Sequence, residues 1–280
     1  MEDKKISTLK VILGSILAIF CLAVSQGIAL GVGRSIAKIG IPVWNANIIA
    51  ALIYISVCLL GMKILTKRLL RGSLSIYRIT PVRFHLKYFI IAFTMTGFVM
   101  ACLILSGGIF TAGNEEHKLA SITSSLLFYG LATGVVEESV FRGVILGIFE
   151  KRWNLTIAIF IPSIVFGILH IVGSDLDLIS TVQLTLAGTL VGILFSLIAI
   201  ESNSIWNSAI VHGIWNMVFV GNIIHFGIKS ESDSIYNFVV SSGNRWITGG
   251  DFGVESSVFA IIAYTIFALL VFMWIMRKHQ

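Results

Sequence analysis

Charge is scarce in this sequence. Asp, Glu, Lys and Arg make up 12% of its 280 residues, where a soluble domain carries about 25%. So few charges cannot cover a water-facing surface on a chain this long. An ordinary soluble domain is excluded, and the bilayer is the expected solvent; the 56% of hydrophobic residues agrees. Paired cysteines are also missing. Cys21, Cys58 and Cys102 each lie inside an apolar run, which excludes a disulfide framework and a cysteine-based zinc site. Neither an internal repeat nor a low-complexity tract occurs. The net charge of +6 is read by its placement along a membrane chain, and no nucleic-acid partner is expected.

What the sequence does have is apolar runs of spanning length, about 20 residues each. They fall at roughly 9–31, 46–66, 88–110, 121–149, 155–172, 178–200, 205–226 and 258–276, the fifth being the shortest. The first follows a basic start and resembles a signal peptide. Its apolar stretch from Val11 to Gly31 is longer than the 7–15 residues of a signal core, so an uncleaved helix is expected. The expected fold is an all-α integral membrane protein, one transmembrane domain over 1–280. It is a bundle of about eight transmembrane helices with its functional core in 121–226.

Cationic residues orient the bundle. With the N-terminus inside, fourteen Lys and Arg fall on inner segments: Lys4, Lys5, Lys10, Lys63, Lys67, Arg68, Arg71, Arg78, Arg83, Lys87, Lys151, Arg152, Arg277 and Lys278. Five fall outside: Arg34, Lys38, Lys118, Lys229 and Arg245. Both termini are therefore expected in the cytoplasm of a multi-pass cell-membrane protein. The Gly27/Gly31, Gly143/Gly147 and Gly188/Gly192 pairs have the spacing that lets membrane helices approach closely, and packing within the monomer is expected of them. Glu201 reads as a cap on a short cytoplasmic turn.

The informative residues are polar groups inside apolar runs. A charge at mid-bilayer costs at least about 2.5–3.5 kcal/mol on insertion scales and usually faces a protein interior or a wet cavity. Three clusters occur on three spans. Glu137-Glu138-Ser139-Val140-Phe141-Arg142 lies in the fourth, Phe166-Gly167-Ile168-Leu169-His170 in the fifth, and His212-Gly213-Ile214-Trp215-Asn216 in the seventh. Glu138 and Arg142 are four apart and share a helix face, whereas Glu137 is turned by about 100°. One acid is thus neutralised locally and the other is left for chemistry. The alternative is a structural ion-pair network between helices.

Counted from the inner helix ends at 1.5 Å per residue, Glu137 lies roughly 18 Å deep, His170 roughly 22 Å, His212 roughly 10 Å and Asn216 roughly 16 Å. These four can meet in one layer near mid-bilayer. A carboxylate, two imidazoles and an amide can hold a water, deprotonate it and stabilise an oxyanion, as peptide hydrolysis requires. No serine or cysteine shows a comparable constellation. Two His with Glu also suit zinc, with Glu137, His170 and His212 as the ligands if a metal is present, although a His-Glu-x-x-His helix is absent.

Glu-Glu-x-x-x-Arg, Phe-x-x-x-His and His-x-x-x-Asn, in that order on separate apolar runs over roughly 121–226, resemble the CAAX protease and bacteriocin-processing family, also called the abortive-infection family. The resemblance implies an eight-helix intramembrane glutamate-dependent endopeptidase, similar to the CAAX prenyl endopeptidase. It implies that Glu137 activates water and that His170, His212 and Asn216 position it or form the oxyanion site. Glu138, Arg142 and Phe166 would support them. Zinc dependence and a metal-free mechanism both stay open. The expected partners are membrane lipid and a peptide or membrane-anchored protein substrate. The cavity is expected between the fourth, fifth and seventh spans, opening towards the cytoplasm and to lipid. Two other readings stand beside this one: a non-catalytic bacteriocin-immunity protein of the same fold, and a proton-coupled transporter.

Overall fold

The computed structural model describes residues 6–113 and 117–278; Lys4 and Lys5 of the orientation count lie outside them. Eight principal helices follow the eight apolar runs. They are α1 (Thr8–Lys38), α2 (Val43–Arg68), α3 (Leu86–Leu105), α4 (Lys118–Arg152), α5 (Leu155–Leu169), α6 (Leu178–Ser202), α7 (Ile205–Phe219) and α8 (Val258–Lys278). Six of them are long and apolar enough to cross a membrane. α5 and α7, at 15 residues each, are about 22 Å long against a hydrocarbon core of about 30 Å. The chain is a mainly helical, multi-pass membrane protein.

Two faces of the bundle are held by separate sets of contacts. On the terminal face, Asn154 caps α5 by accepting from Ile157 N, and Ser204 caps α7 by accepting from Trp206 N. These are the tight α4–α5 and α6–α7 turns, the second made by Asn203 in the left-handed region at φ 48°. Ile205 N donates to Arg78 O at 3.0 Å, Arg152 Nε donates to Thr8 Oγ1 at 3.0 Å, and Arg78 pairs with Glu150 at 2.7 Å. Glu201 does not cap a turn. Its carboxylate joins Lys87 and Tyr88 of α3 to Lys278 of α8.

The opposite face, the loop face, carries a small sheet that the apolar pattern did not announce. Its strands are β1 (Gly108–Ala112), β2 (Ile224–Gly227) and β3 (Tyr236–Val240), in the order β1-β3-β2. β1 is antiparallel and β2 parallel to β3, in a register that sets Phe110 and Phe226 against Phe238. The expected spans 88–110 and 205–226 therefore overran their helices. α3 stops before Gly107 at φ 92° and α7 ends at Phe219. The remaining apolar residues go into the sheet, whose Phe226 ring sits 5.6 Å from Phe219 at the end of α7. Apolar content alone does not separate buried strand from helix.

Close backbone approach fixes the helices that carry the polar clusters. A Cβ on Gly213 of α7 would lie 3.0 Å from Gly130 O of α4, and one on Gly134 of α4 would lie 2.9 Å from Ala209 O. α5 meets α6 in the same way, where a Cβ on Gly188 would lie 2.7 Å from Gly167 Cα. Of the glycine pairs in the sequence, Gly188/Gly192 and Gly143/Gly147 pack internally; Gly27 and Gly31 have nothing within 4 Å. α4 also contains π-type turns over Ser124–Ala132 and Ser139–Ile145, on either side of Thr133–Glu138. One apolar cluster is built mainly from α3, α6, α7 and α8, and another from α1, α2 and α4.

Candidate active site

The three sequence clusters converge where those two apolar clusters meet. Glu138 and Arg142, one turn apart on α4, form an ion pair with Nη1–Oε1 at 3.0 Å, and their side chains are 0% and 1% exposed. Arg142 Nη2 also donates to Gly192 O of α6 at 3.3 Å, and its guanidinium lies 4.3 Å from the Phe166 ring and 5.2 Å from the Phe195 ring. A buried charge is tolerated when it is paired and hydrogen-bonded, and here it is also clamped between aromatic faces.

His212 joins the two acids. Its Nδ1 is 3.0 Å from Glu138 Oε1, and its Nε2 is 3.8 Å from Glu137 Oε2. Phe195 stacks on the imidazole with centroids 4.7 Å apart. A carboxylate paired with Arg142 accepts hydrogen bonds only, so Nδ1 carries a proton and Nε2 is the nitrogen turned towards Glu137. His170 follows the last residue of α5. Its Nδ1 is 2.7 Å from Phe166 O, a carbonyl that can only accept, so Nδ1–H donates and Nε2 is again the nitrogen left free. Asn216 Nδ2 donates to Tyr129 O of α4 at 3.2 Å. Second contacts of this kind fix ring orientation and tautomer.

Glu137, His170, His212 and Asn216 all line one cavity of about 250 Å³, room for several waters at about 30 Å³ each in the liquid. Phe166 is also in its wall, while Glu138 and Arg142 lie behind it. The Glu137 side chain is 18% exposed and that of Glu138 0%. Glu137 Oε2 is buried and accepts no hydrogen bond among the described residues. The division of the paired acids expected from their 100° offset is the one the structure has.

The direction of the cavity differs from expectation. On the terminal side of Glu137, every α4 residue from Glu138 to Ile148 is buried, so no opening runs along α4 to that face. The half-buried lining residues besides Glu137 are Gln26 of α1, Tyr129 and Thr133 of α4, His170, Val191 of α6, Val220 after α7, and Phe252 and Glu255 before α8, which place the mouth sideways and towards the loop face. The reason is helix length. α5 and α7 start at the terminal face and stop short of the other, and the segment after Gly249 fills the shortfall.

That segment supplies two lining residues that sequence reasoning passed over, Phe252 and Glu255. Phe252 meets the His170 ring edge-on at 6.4 Å. Glu255 Oε1 accepts from Trp215 Nε1 at 3.1 Å, and its backbone O accepts from Tyr264 Oη at 3.2 Å. Burial pushes the Glu255 carboxyl above the usual range, with the Trp215 hydrogen bond opposing. It was missed because it lies outside every apolar run; the Gly-Gly-Asp-Phe-Gly turn before it was the available signal.

The donor set does not fit zinc. Among the described residues no three His, Cys, Asp or Glu side chains come together as ligands for one ion. The Nε2–Oε2 gap of 3.8 Å between His212 and Glu137 brings only two of the three expected ligands towards a common point.

Residues 119–218 match the family described as Type II CAAX prenyl endopeptidase Rce1-like. The matched segment holds all three motifs, from Glu137 to Asn216, and bears out the resemblance to the CAAX proteases; Phe252 and Glu255 fall outside it. No curated protein and no solved structure matches the chain.

Proposed function

We propose that this membrane protein is an intramembrane endopeptidase that hydrolyses a peptide bond of a membrane-associated peptide or protein by glutamate-activated water, without a metal. One observation carries the reading. Of two adjacent acids, Glu138 is consumed by Arg142 and His212, while Glu137 faces the cavity beside imidazole nitrogens with no cation of its own.

In this mechanism Glu137 accepts a proton from water held between its carboxylate and the imidazole nitrogens, and the oxygen attacks the scissile carbonyl. Asn216 donates to the developing oxyanion, a contact that strengthens as charge appears. Glu138 orients the His212 ring, and Arg142 holds Glu138 in place. The sideways mouth admits an extended segment without exposing its amides to lipid, where each would go unsatisfied. With both termini in the cytoplasm, as the fourteen-to-five distribution of cations favours, substrate enters from the external half of the bilayer.

The test is Glu137→Gln in purified protein, with cleavage of candidate membrane-associated peptides followed by mass spectrometry. Turnover is expected to fall at least about 10²–10⁴-fold with folding intact. Near-normal turnover would remove Glu137 as the base, and solute flux driven by a pH gradient would favour a transporter.

A further inference from the structure

The proteolytic reading names no group that carries a proton for the leaving nitrogen before water is activated. Hydrolysis of an amide needs a proton on the leaving nitrogen as well as a base for water, yet the groups already assigned are otherwise engaged. Glu137 serves as the base, and His170 and His212 each turn Nδ1 to a fixed partner, Phe166 O and Glu138. Asn216 offers amide hydrogens that it cannot release. Thr133 Oγ1 donates to Phe128 O, and Tyr264 Oη donates to the backbone of Glu255.

We propose that Glu255 is a further catalytic residue, the acid that delivers this proton. It stands on the loop-side wall of the cavity whose α4 wall carries Glu137. Its position is built. Trp215 Nε1 fixes Oε1, Gln183 Nε2 holds Ser256 O at 2.8 Å, Ser256 Oγ holds Gly249 O at 2.7 Å, and Ser180 Oγ reaches Asp251 Oδ2 at 3.2 Å. Among the described residues Oε2 has no hydrogen-bond partner, and no Lys or Arg pairs with the carboxylate. The charged or titratable groups that face it are Glu137 of α4, His170 after α5, His212 of α7 and Tyr264 of α8. Desolvation raises the pKa of a carboxyl so placed and favours its protonated form, with the Trp215 hydrogen bond and the charges of His170 and His212 opposing.

The proton balance closes without a co-reactant. Water gives one proton to Glu137 as its oxygen bonds the carbonyl carbon. The resulting oxyanion intermediate takes the Glu255 proton on nitrogen. The C–N bond then breaks as the carbonyl re-forms. The product carboxylic acid returns its proton to Glu255, and Glu137 passes its proton to the released amine, giving one carboxylate and one ammonium.

This proposal rests on the endopeptidase reading, and the experiment separates the two. Full-length protein in detergent is assayed between pH 5 and 10 with quenched-fluorescent peptides, with and without a prenylated cysteine near the C-terminus. Variants are Glu137→Gln, Glu255→Gln, Glu255→Asp and Tyr129→Phe, the last removing the other hydroxyl of the wall. Each variant is first matched to wild type in elution and melting temperature. Glu255→Gln is expected to lower kcat at least about 10²-fold with KM within about threefold. Loss of the alkaline limb of the pH profile and partial rescue in Glu255→Asp are expected with it. A Glu255→Gln enzyme with wild-type kcat and an intact alkaline limb, beside an inactive Glu137→Gln, overturns this proposal alone. So does loss of that limb in Tyr129→Phe instead. Activity in Glu137→Gln, or wild-type protein that cleaves none of the peptides, overturns the endopeptidase reading and this proposal with it.

Discussion

Glu138→Gln tests whether the buried acid is a support or a reagent. The substitution keeps an oxygen for His212 Nδ1–H and Arg142 but removes the charge. Arg142, 1% exposed, would keep Gly192 O and the Phe166 and Phe195 faces and lose its ion-pair partner. Breaking one side of a buried pair costs about 3–5 kcal/mol, because the surviving charge stays buried and uncompensated. The retained hydrogen bond places Glu138→Gln at the low end, about 3 kcal/mol. Arg142→Met leaves the Glu138 carboxylate on His212 alone and belongs in the upper half, about 4–5 kcal/mol. The double variant has no orphan charge and is expected to recover about 2–3 kcal/mol of the summed loss as coupling. Unfolding by SDS titration, read by tryptophan fluorescence, measures all three. Singles within about 1 kcal/mol of wild type, or a double equal to the sum within about 0.5 kcal/mol, would refute the ion-pair reasoning.

Three further outcomes follow from the packing and from the donor set. Gly213→Ala puts a Cβ 3.0 Å from Gly130 O and must push α7 from α4; a stability loss of about 1–3 kcal/mol is expected, with reduced turnover because His212 moves with α7. Gly27→Ala meets nothing within 4 Å and is expected to be neutral or to stabilise α1 by up to about 1 kcal/mol, which a melting curve checks. Turnover is expected to survive exhaustive chelation unchanged; loss that zinc alone restores would return the site to metal chemistry.

Helix number and the meeting of Glu137, His170, His212 and Asn216 were readable because each rests on a local rule. Apolar length marks helices, and i,i+4 spacing puts Glu138 under Arg142. The rest was hidden where one signal serves two structures. Ile109, Phe110 and Phe226 are as apolar as any span residue, yet they form sheet against Phe238. Glu201 looks like a turn residue because its partners, Lys87 and Lys278, come from distant helices. Glu255 was invisible for a related reason. Searching only within apolar runs assumes that every site residue lies on a spanning helix. The short α5 and α7 break that assumption by letting the 249–257 segment reach into the bundle.

The π-type turns of α4 make the site sensitive to chain length rather than to residue identity. Thr133 Oγ1 reaches back five residues to Phe128 O at 3.0 Å, and each such turn stores an extra residue that an ordinary α-helix would not accommodate. Removing one residue from 124–132 would let α4 relax to regular geometry without exposing a single apolar side chain. The flanking stretches would keep their phase, because the residue lost is the stored one; a deletion within 133–136, where the helix is regular, would instead rotate everything before it by about 100° against Glu137, carrying the Tyr129 carbonyl away from Asn216. A one-residue deletion at 133–136 is therefore expected to leave a well-folded membrane helix with its two halves facing different neighbours, a failure of phase that hydropathy cannot register.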